Sequence, residues 1–179
     1  MLILGIAGGS EVGKSTTAEA IMDAVVARND SMLVVCYEIS ELVSNVLEWV
    51  GISTDPKTDN VRETMKIIVE ACMRHGDDVW MNTILRLCDA DHCGEVDLLV
   101  ISGIRRECEA RWVQARGGRT LWIGPEYGFP QWVPALCWRD VPSPTLEETR
   151  PKWLEAVGKI ADDLVVDLND EVPTAEHVQ

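Results

Sequence analysis

Three stretches of the chain are apolar almost throughout: Met1–Ala7 (MLILGIA), Met32–Cys36 (MLVVC) and Asp97–Ser102 (DLLVIS). Runs of this kind fit strands buried on both faces of a parallel sheet, whereas a sheet with one wet face alternates. Arg119–Ile123 (RTLWI) and Leu164–Leu168 (LVVDL) read as two further strands. Between the runs the period changes. Ala18, Ile21, Met22, Val25 and Val26 follow the i, i+3, i+4, i+7, i+8 stripe of a helix, as do Met65, Ile68, Val69 and Cys72. Two more helices are expected over 78–89 and 105–116, and a last one over Leu146–Ile160, begun by Pro144 and Thr145 in capping-like positions. Strands alternating with helices predict an α/β sandwich with a mainly parallel sheet and right-handed crossovers.

One stretch breaks the rhythm. Residues 124–144 hold five prolines together with Tyr127, Trp132 and Trp138. A long connection without its own period is read as a lid or binding loop, or as a surface excursion anchored by its tryptophans. Arg139 and Arg150, which flank it, are candidates to enter a site on closure. The domain is expected to span 1–168 as a single unit, followed by a polar, acidic tail over 169–179 that frays.

At 179 residues and 46% hydrophobic composition the chain can bury a full core. It contains neither a run of 18 apolar residues nor a basic-then-apolar start, so it is expected to be soluble and cytoplasmic, with no membrane partner. A net charge of −14 argues against a nucleic-acid polymer as partner, because a phosphate backbone demands a broad basic face. A small phosphorylated ligand is still allowed. Eleven of the 16 basic residues are arginines, the side chain suited to bidentate phosphate contact, and Arg105, Arg106, Arg111, Arg116 and Arg119 cluster. Ion pairs on a solvated helix face are the plain alternative for part of that cluster. The six cysteines form no C-x-x-C pair and are expected to be small buried hydrophobes, and Cys88, Asp89, Asp91, His92 and Cys93 lack the paired spacing of a zinc site.

The strongest chemical signal lies between the first strand and the first helix. Gly8-x-x-x-x-Gly13-Lys14-Ser15 meets the Walker A pattern in full. The cradle is expected from Gly8, Gly9, Ser10, Glu11, Val12, Gly13, Lys14, Ser15 and Thr16. Glycines let successive backbone N–H groups face one concavity, and the helix that follows adds its positive end. Lys14 is expected at the β- and γ-phosphates of ATP and Ser15 on Mg²⁺; Thr16 suits the α-phosphate or simply starts the helix. Glu11 is unusual beside an anion, but side chains of such loops point outward. The N-K-x-D segment of a GTPase is absent, and Asp91-His92-Cys93-Gly94 does not follow a buried strand. Small size and an N-terminal loop favour a kinase for small metabolites.

Three further segments extend this reading. Arg62-Glu63-Thr64-Met65, Gly76-Asp77-Asp78-Val79-Trp80 and Ser102-Gly103-Ile104-Arg105-Arg106-Glu107-Cys108-Glu109-Ala110, with the loop, resemble the bacteriophage deoxynucleoside monophosphate kinases over roughly residues 1 to 125. The resemblance implies a three-layer αβα P-loop NTPase fold, to which the stretch 124–144 would add a lid-like insertion, and transfer of the γ-phosphate of ATP to a deoxynucleoside monophosphate. It also implies a host-cell cytoplasmic setting if the gene is a phage's. Gly103 stands where that family often has Asp. Lys14 and Arg105 are then the expected catalytic groups, Arg105 emerging after a central strand where α/β sheets build sites. Arg62, Arg106, Trp80 and Glu38 are expected at the acceptor, with Glu41 beside them; core packing is the plain alternative for Trp80. Related alternatives are dephospho-coenzyme A kinase or another small-metabolite kinase, and an ATP-binding regulatory protein that transfers nothing. Assembly, a homodimer included, is left open.

Overall fold

Every position of β1 (Leu2–Gly8) and β3 (Leu98–Ile104) is buried, as expected of strands covered on both faces. The computed structural model describes residues 1–124, 130–145 and 147–170. Beside these two strands lie β2 (Val34–Glu38), β4 (Arg119–Ile123) and β5 (Arg139–Val141), in the order β2-β3-β1-β4-β5 with every pairing parallel. The helices are α1 (Lys14–Val26), α2 (Ile39–Trp49), α3 (Asp59–Met73), α4 (Val79–His92), α5 (Glu107–Ala115), α6 (Val133–Leu136) and α7 (Arg150–Asp170). The chain is thus an α/β protein with helices on both faces of the sheet.

The two faces follow from handedness. β1 to β2 runs one way along the sheet and every later crossover runs the other way, so right-handed connections put α1 on one face and α2 to α6 on the opposite one. Side-chain alternation completes the division. Leu2, Leu4, Ile6, Leu98 and Val100 pack with α1 and α7, whereas Ile3, Ala7, Leu99 and Ile101 pack with the helices of the other face.

Leu164–Leu168 is not a strand but the distal part of α7. Its apolar residues continue a helical stripe of buried positions, Trp153, Val157, Ile160, Ala161, Leu164 and Leu168, while Val166 of the same run is exposed. Five residues were too few for the run to reveal its period, and the stripe from Trp153 decides it. The last helix therefore starts at Arg150, with Pro151 tolerated in its first turn, rather than at Leu146. The fifth strand comes instead from the proline-rich segment, where Arg139–Val141 pairs with β4 and α6 precedes it. Residues 125–129, Tyr127 among them, lie outside the described residues, as do 171–179 of the expected tail. α2 falls where the sequence pattern predicts no element: it begins directly after β2, and only Ile39, Val43, Ser44 and Leu47 face inward.

The cysteines are less uniform than expected. Cys88 is buried, but Cys36 and Cys93 are exposed and the other three are half-buried, all six as free thiols. Cys93 ends α4 in a left-handed turn with Gly94, and no metal-binding group of His, Cys, Asp or Glu occurs among the described residues.

Candidate phosphate-binding site

β1 lies between β3 and β4, and the helices that follow β1 and β3 leave on opposite faces. Such a reversal opens a crevice at the carboxyl ends of the strands, where α/β sheets bind ligands. Gly8 ends β1 there, Ile104 ends β3 and Glu38 ends β2, so the loop 9–13 emerges beside both.

The loop's course is set by its backbone. Glu11 and Gly13 take positive φ, 60° and 87°, the second as the residue that caps α1. A side chain at 13 would also collide with the Pro144 ring. The Glu11 side chain is turned out to solvent, 3.9 Å from the Arg62 guanidinium. No side chain caps α1 and no acidic residue lies in its first turn, so nothing within the helix neutralises its positive end. Gly9, Ser10, Ser15 and Thr16 are exposed at the loop, and Val12 is half-buried.

Lys14 is the exception, a lysine only 9% exposed whose ammonium donates to the Gly9 carbonyl. Burial lowers its pKa from the ordinary value of 10.5, and Arg105 lowers it further, while Glu38 opposes both. Arg105 and Glu38 are thus the charged groups whose fields act on Lys14. The next residue, Ser15, donates its hydroxyl to Glu38 Oε2 at 3.0 Å, and Ser40 donates to the other Glu38 oxygen. Behind the loop, Thr17 donates to the Gly13 carbonyl at 2.8 Å and accepts from the Trp153 indole at 3.0 Å, tying α1 to α7. Ser143 donates to the Val12 carbonyl at 2.8 Å, so residues 143–144 brace the loop from outside.

At the end of β3 the pairing with β1 slips, Ile6 opposite Ser102 and Ala7 opposite Ile104, leaving Gly103 as the extra residue of a bulge with φ of 93°. The turn that follows is fixed by Glu109. This carboxylate, 4% exposed, accepts the backbone N–H of Arg105 at 2.8 Å and of Arg106 at 3.0 Å. Burial raises its pKa, and the two N–H groups and both arginines oppose the rise. In the sequence Glu109 stood out only as part of the resemblance, because a buried cap of this kind leaves no periodic trace.

The structure divides the arginine cluster. Arg111 pairs with Glu107 one turn back, Arg116 stacks 3.8 Å from the Trp112 ring centroid, and Arg119 pairs with Asp167 at 2.7 Å. Arg105, exposed at the end of β3, is the one of the five whose charge acts on Lys14. Arg106 is half-buried at the start of α5. Arg62 extends from the first turn of α3, 3.9 Å from both Glu11 and Asp59, at the rim of the loop. Trp80, expected at the acceptor, is buried within the core cluster against α2 to α5, and its indole N–H finds no acceptor among the described residues. Arg139 pairs with Asp163 of α7 and lies 4.6 Å from the Trp138 ring, at the sheet edge; Arg150 is exposed at the start of α7. A cavity of about 590 Å³ runs along α2 rather than over the loop, lined by Glu41, Ser44, Asn45, Glu48 and residues 54–57.

The donor set suits a triphosphate with a hard divalent cation. Bare N–H groups at a helix start, Lys14 and Arg105 are donors of the kind anionic oxygen accepts, and the Ser15 hydroxyl, backed by the Glu38 carboxylate, is an oxygen donor of the kind a hard divalent cation takes. Ser102, opposite Glu38 in the β2–β3 register and on the sheet face that α1 covers, carries a buried hydroxyl with no partner among the described residues. Compared with known proteins, the chain matches no family model and no curated sequence.

Proposed function

We propose that this chain is an ATP-dependent phosphotransferase acting on a small phosphorylated acceptor, a deoxynucleoside monophosphate being the one its sequence resemblance implies. The supporting observation is Lys14: a buried lysine at the start of an uncapped helix, its ammonium on the Gly9 carbonyl, followed by Ser15 and its partner Glu38 at the switch point of the sheet.

In this reading an acceptor phosphate oxygen attacks the γ-phosphorus, and the bond from that phosphorus to the β–γ bridging oxygen breaks, its electron pair leaving with ADP. The attacking oxygen is already anionic, so no proton need be removed. Charge spreads over the transferred oxygens in the transition state, and positioned cations supply most of the catalysis. Lys14 exchanges its bond to the Gly9 carbonyl for phosphate oxygens, and Arg105, held by Glu109, meets the same charge from β3. Arg62, at the loop rim, is the group suited to the acceptor's phosphate. A Mg²⁺ ion held through Ser15 would neutralise charge on the β- and γ-oxygens.

The glycine at 103 is accounted for by the bulge, which lends no weight to a protein that binds ATP without transferring it. The test is a coupled assay of ADP release over a panel of deoxynucleoside and ribonucleoside monophosphates and dephospho-coenzyme A. Stimulation by the deoxynucleotides is expected. Stimulation by dephospho-coenzyme A alone would move the acceptor to that class, and ATP binding with no stimulation by any acceptor would refute phosphotransfer.

A further inference from the structure

We infer that Glu38 is the positioning carboxylate of a divalent-cation site built on Ser15, and not an acceptor contact. The inference rests on reading the loop 8–16 as a nucleotide site. A serine hydroxyl has one proton and two lone pairs. Ser15 donates that proton to Glu38 Oε2 at 3.0 Å, which leaves only lone pairs facing outward. A metal-ligating hydroxyl needs that state, and accepting its proton makes the oxygen a better ligand. Glu38 is in turn held, its second oxygen accepting from Ser40 in the first turn of α2. One lone pair on each oxygen is thus taken by a serine of α1 or α2, which orients the carboxylate toward the start of α1 rather than outward to an acceptor.

The surroundings agree. Glu38 is the last residue of β2, in register with Ser102 at the end of the neighbouring strand, where a buried hydroxyl is without a partner among the described residues. Gly103 follows, and a Cβ there would stand 3.9 Å from Glu38 Cγ, so position 103 lies directly beside the Glu38 side chain. Glu38 holds Ser15, the residue after Lys14 in the first turn of α1, so the carboxylate stands beside the expected β- and γ-phosphates. An isolated carboxylate there repels a triphosphate; a divalent cation between the two reverses the sign. Small hard cations keep most of their waters and use one or two protein oxygens, so Ser15 with Glu38 behind it suffices.

The experiment measures ATP affinity of the full chain by calorimetry, in EDTA and in saturating Mg²⁺, for the natural sequence, Glu38→Gln and Ser40→Ala. The ratio of the two dissociation constants reads the coupling between cation and protein. Glu38→Gln is expected to shrink that ratio about 10- to 100-fold. Its metal-free affinity is expected to be equal or tighter, because a negative charge has left the phosphate site. Ser40→Ala should shrink the ratio less, in the same direction. An unchanged ratio in Glu38→Gln overturns the assignment, and so does an equal loss with and without Mg²⁺, the mark of a merely structural role. If the natural chain binds no ATP in either buffer, the nucleotide-site reading itself fails and this assignment with it.

Discussion

Replacing Gly103 separates two explanations for a glycine at the end of β3, one resting on the backbone and one on charge. Its φ of 93° lies beyond the left-handed region that other residues tolerate, and such strain costs about 1 to 3 kcal/mol. Space is not the obstacle, since the nearest atoms to an added Cβ are Ile39 N and Cβ, both at 3.7 Å. Gly103→Ala therefore reads the backbone term alone. Gly103→Asp adds a carboxylate next to Glu38. Two charges about 5 Å apart at an effective dielectric near 20 repel by roughly 3 kcal/mol, and the half-buried setting of Glu38 brings that to about 1 to 3 kcal/mol. Urea unfolding should place Gly103→Ala about 1 to 3 kcal/mol below the natural chain, Gly103→Asn similar to or slightly above it, and Gly103→Asp lowest. Combining Gly103→Asp with Glu38→Gln should recover the part specific to the carboxylate, because the repelling partner is gone. An alanine cost under about 0.5 kcal/mol would refute the backbone argument. A penalty of Gly103→Asp that survives Glu38→Gln would show that Glu38 does not face position 103.

Lys14→Ala should lower kcat/KM at least about 100-fold while leaving the thermal midpoint within a few degrees, since the side chain supplies charge to the phosphates and little packing; activity equal to the natural chain would remove Lys14 from the mechanism. The same lysine sets a pH dependence. Its pKa in the free protein is lowered from 10.5, and a bound triphosphate favours its charged form, so above the lowered pKa binding must take up a proton and ATP affinity falls as pH rises. Calorimetry in buffers of different ionisation enthalpy should detect that uptake, and it should vanish in Lys14→Arg; affinity that stays flat up to pH 10.5 would contradict the sign. Glu109→Ala should cost about 1 to 3 kcal/mol by orphaning the N–H groups of Arg105 and Arg106, whereas Glu109→Gln should cost less, because both groups bond one oxygen that the amide retains. Equal losses in thermal unfolding would show that the bonds to Arg105 and Arg106 are not what Glu109 contributes.

The local pattern determined much of the fold. Fully buried strands betray themselves as unbroken apolar runs, and β1, β3 and β4 appear within two residues of the expected places, with α1, α3, α4 and α5 between them. The glycine, lysine and serine of the loop are likewise legible, because their spacing is a property of one short turn. What the sequence could not decide depends on contacts between distant segments. Leu164–Leu168 has the composition of a strand, and only its continuity with Trp153, Val157 and Ile160 against the α1 face makes it a helix. β5 is three residues long and exists because β4 offers a free edge for it to join. Five arginines close together look alike in sequence. The packing of α5 and α7 assigns three of them to Glu107, Trp112 and Asp167, while the β3 bulge with Glu109 fixes the backbone at Arg105. The meeting of Ser15 with Glu38 is tertiary in the same sense: 23 residues separate them, and a crossover between parallel strands brings them to a hydrogen bond.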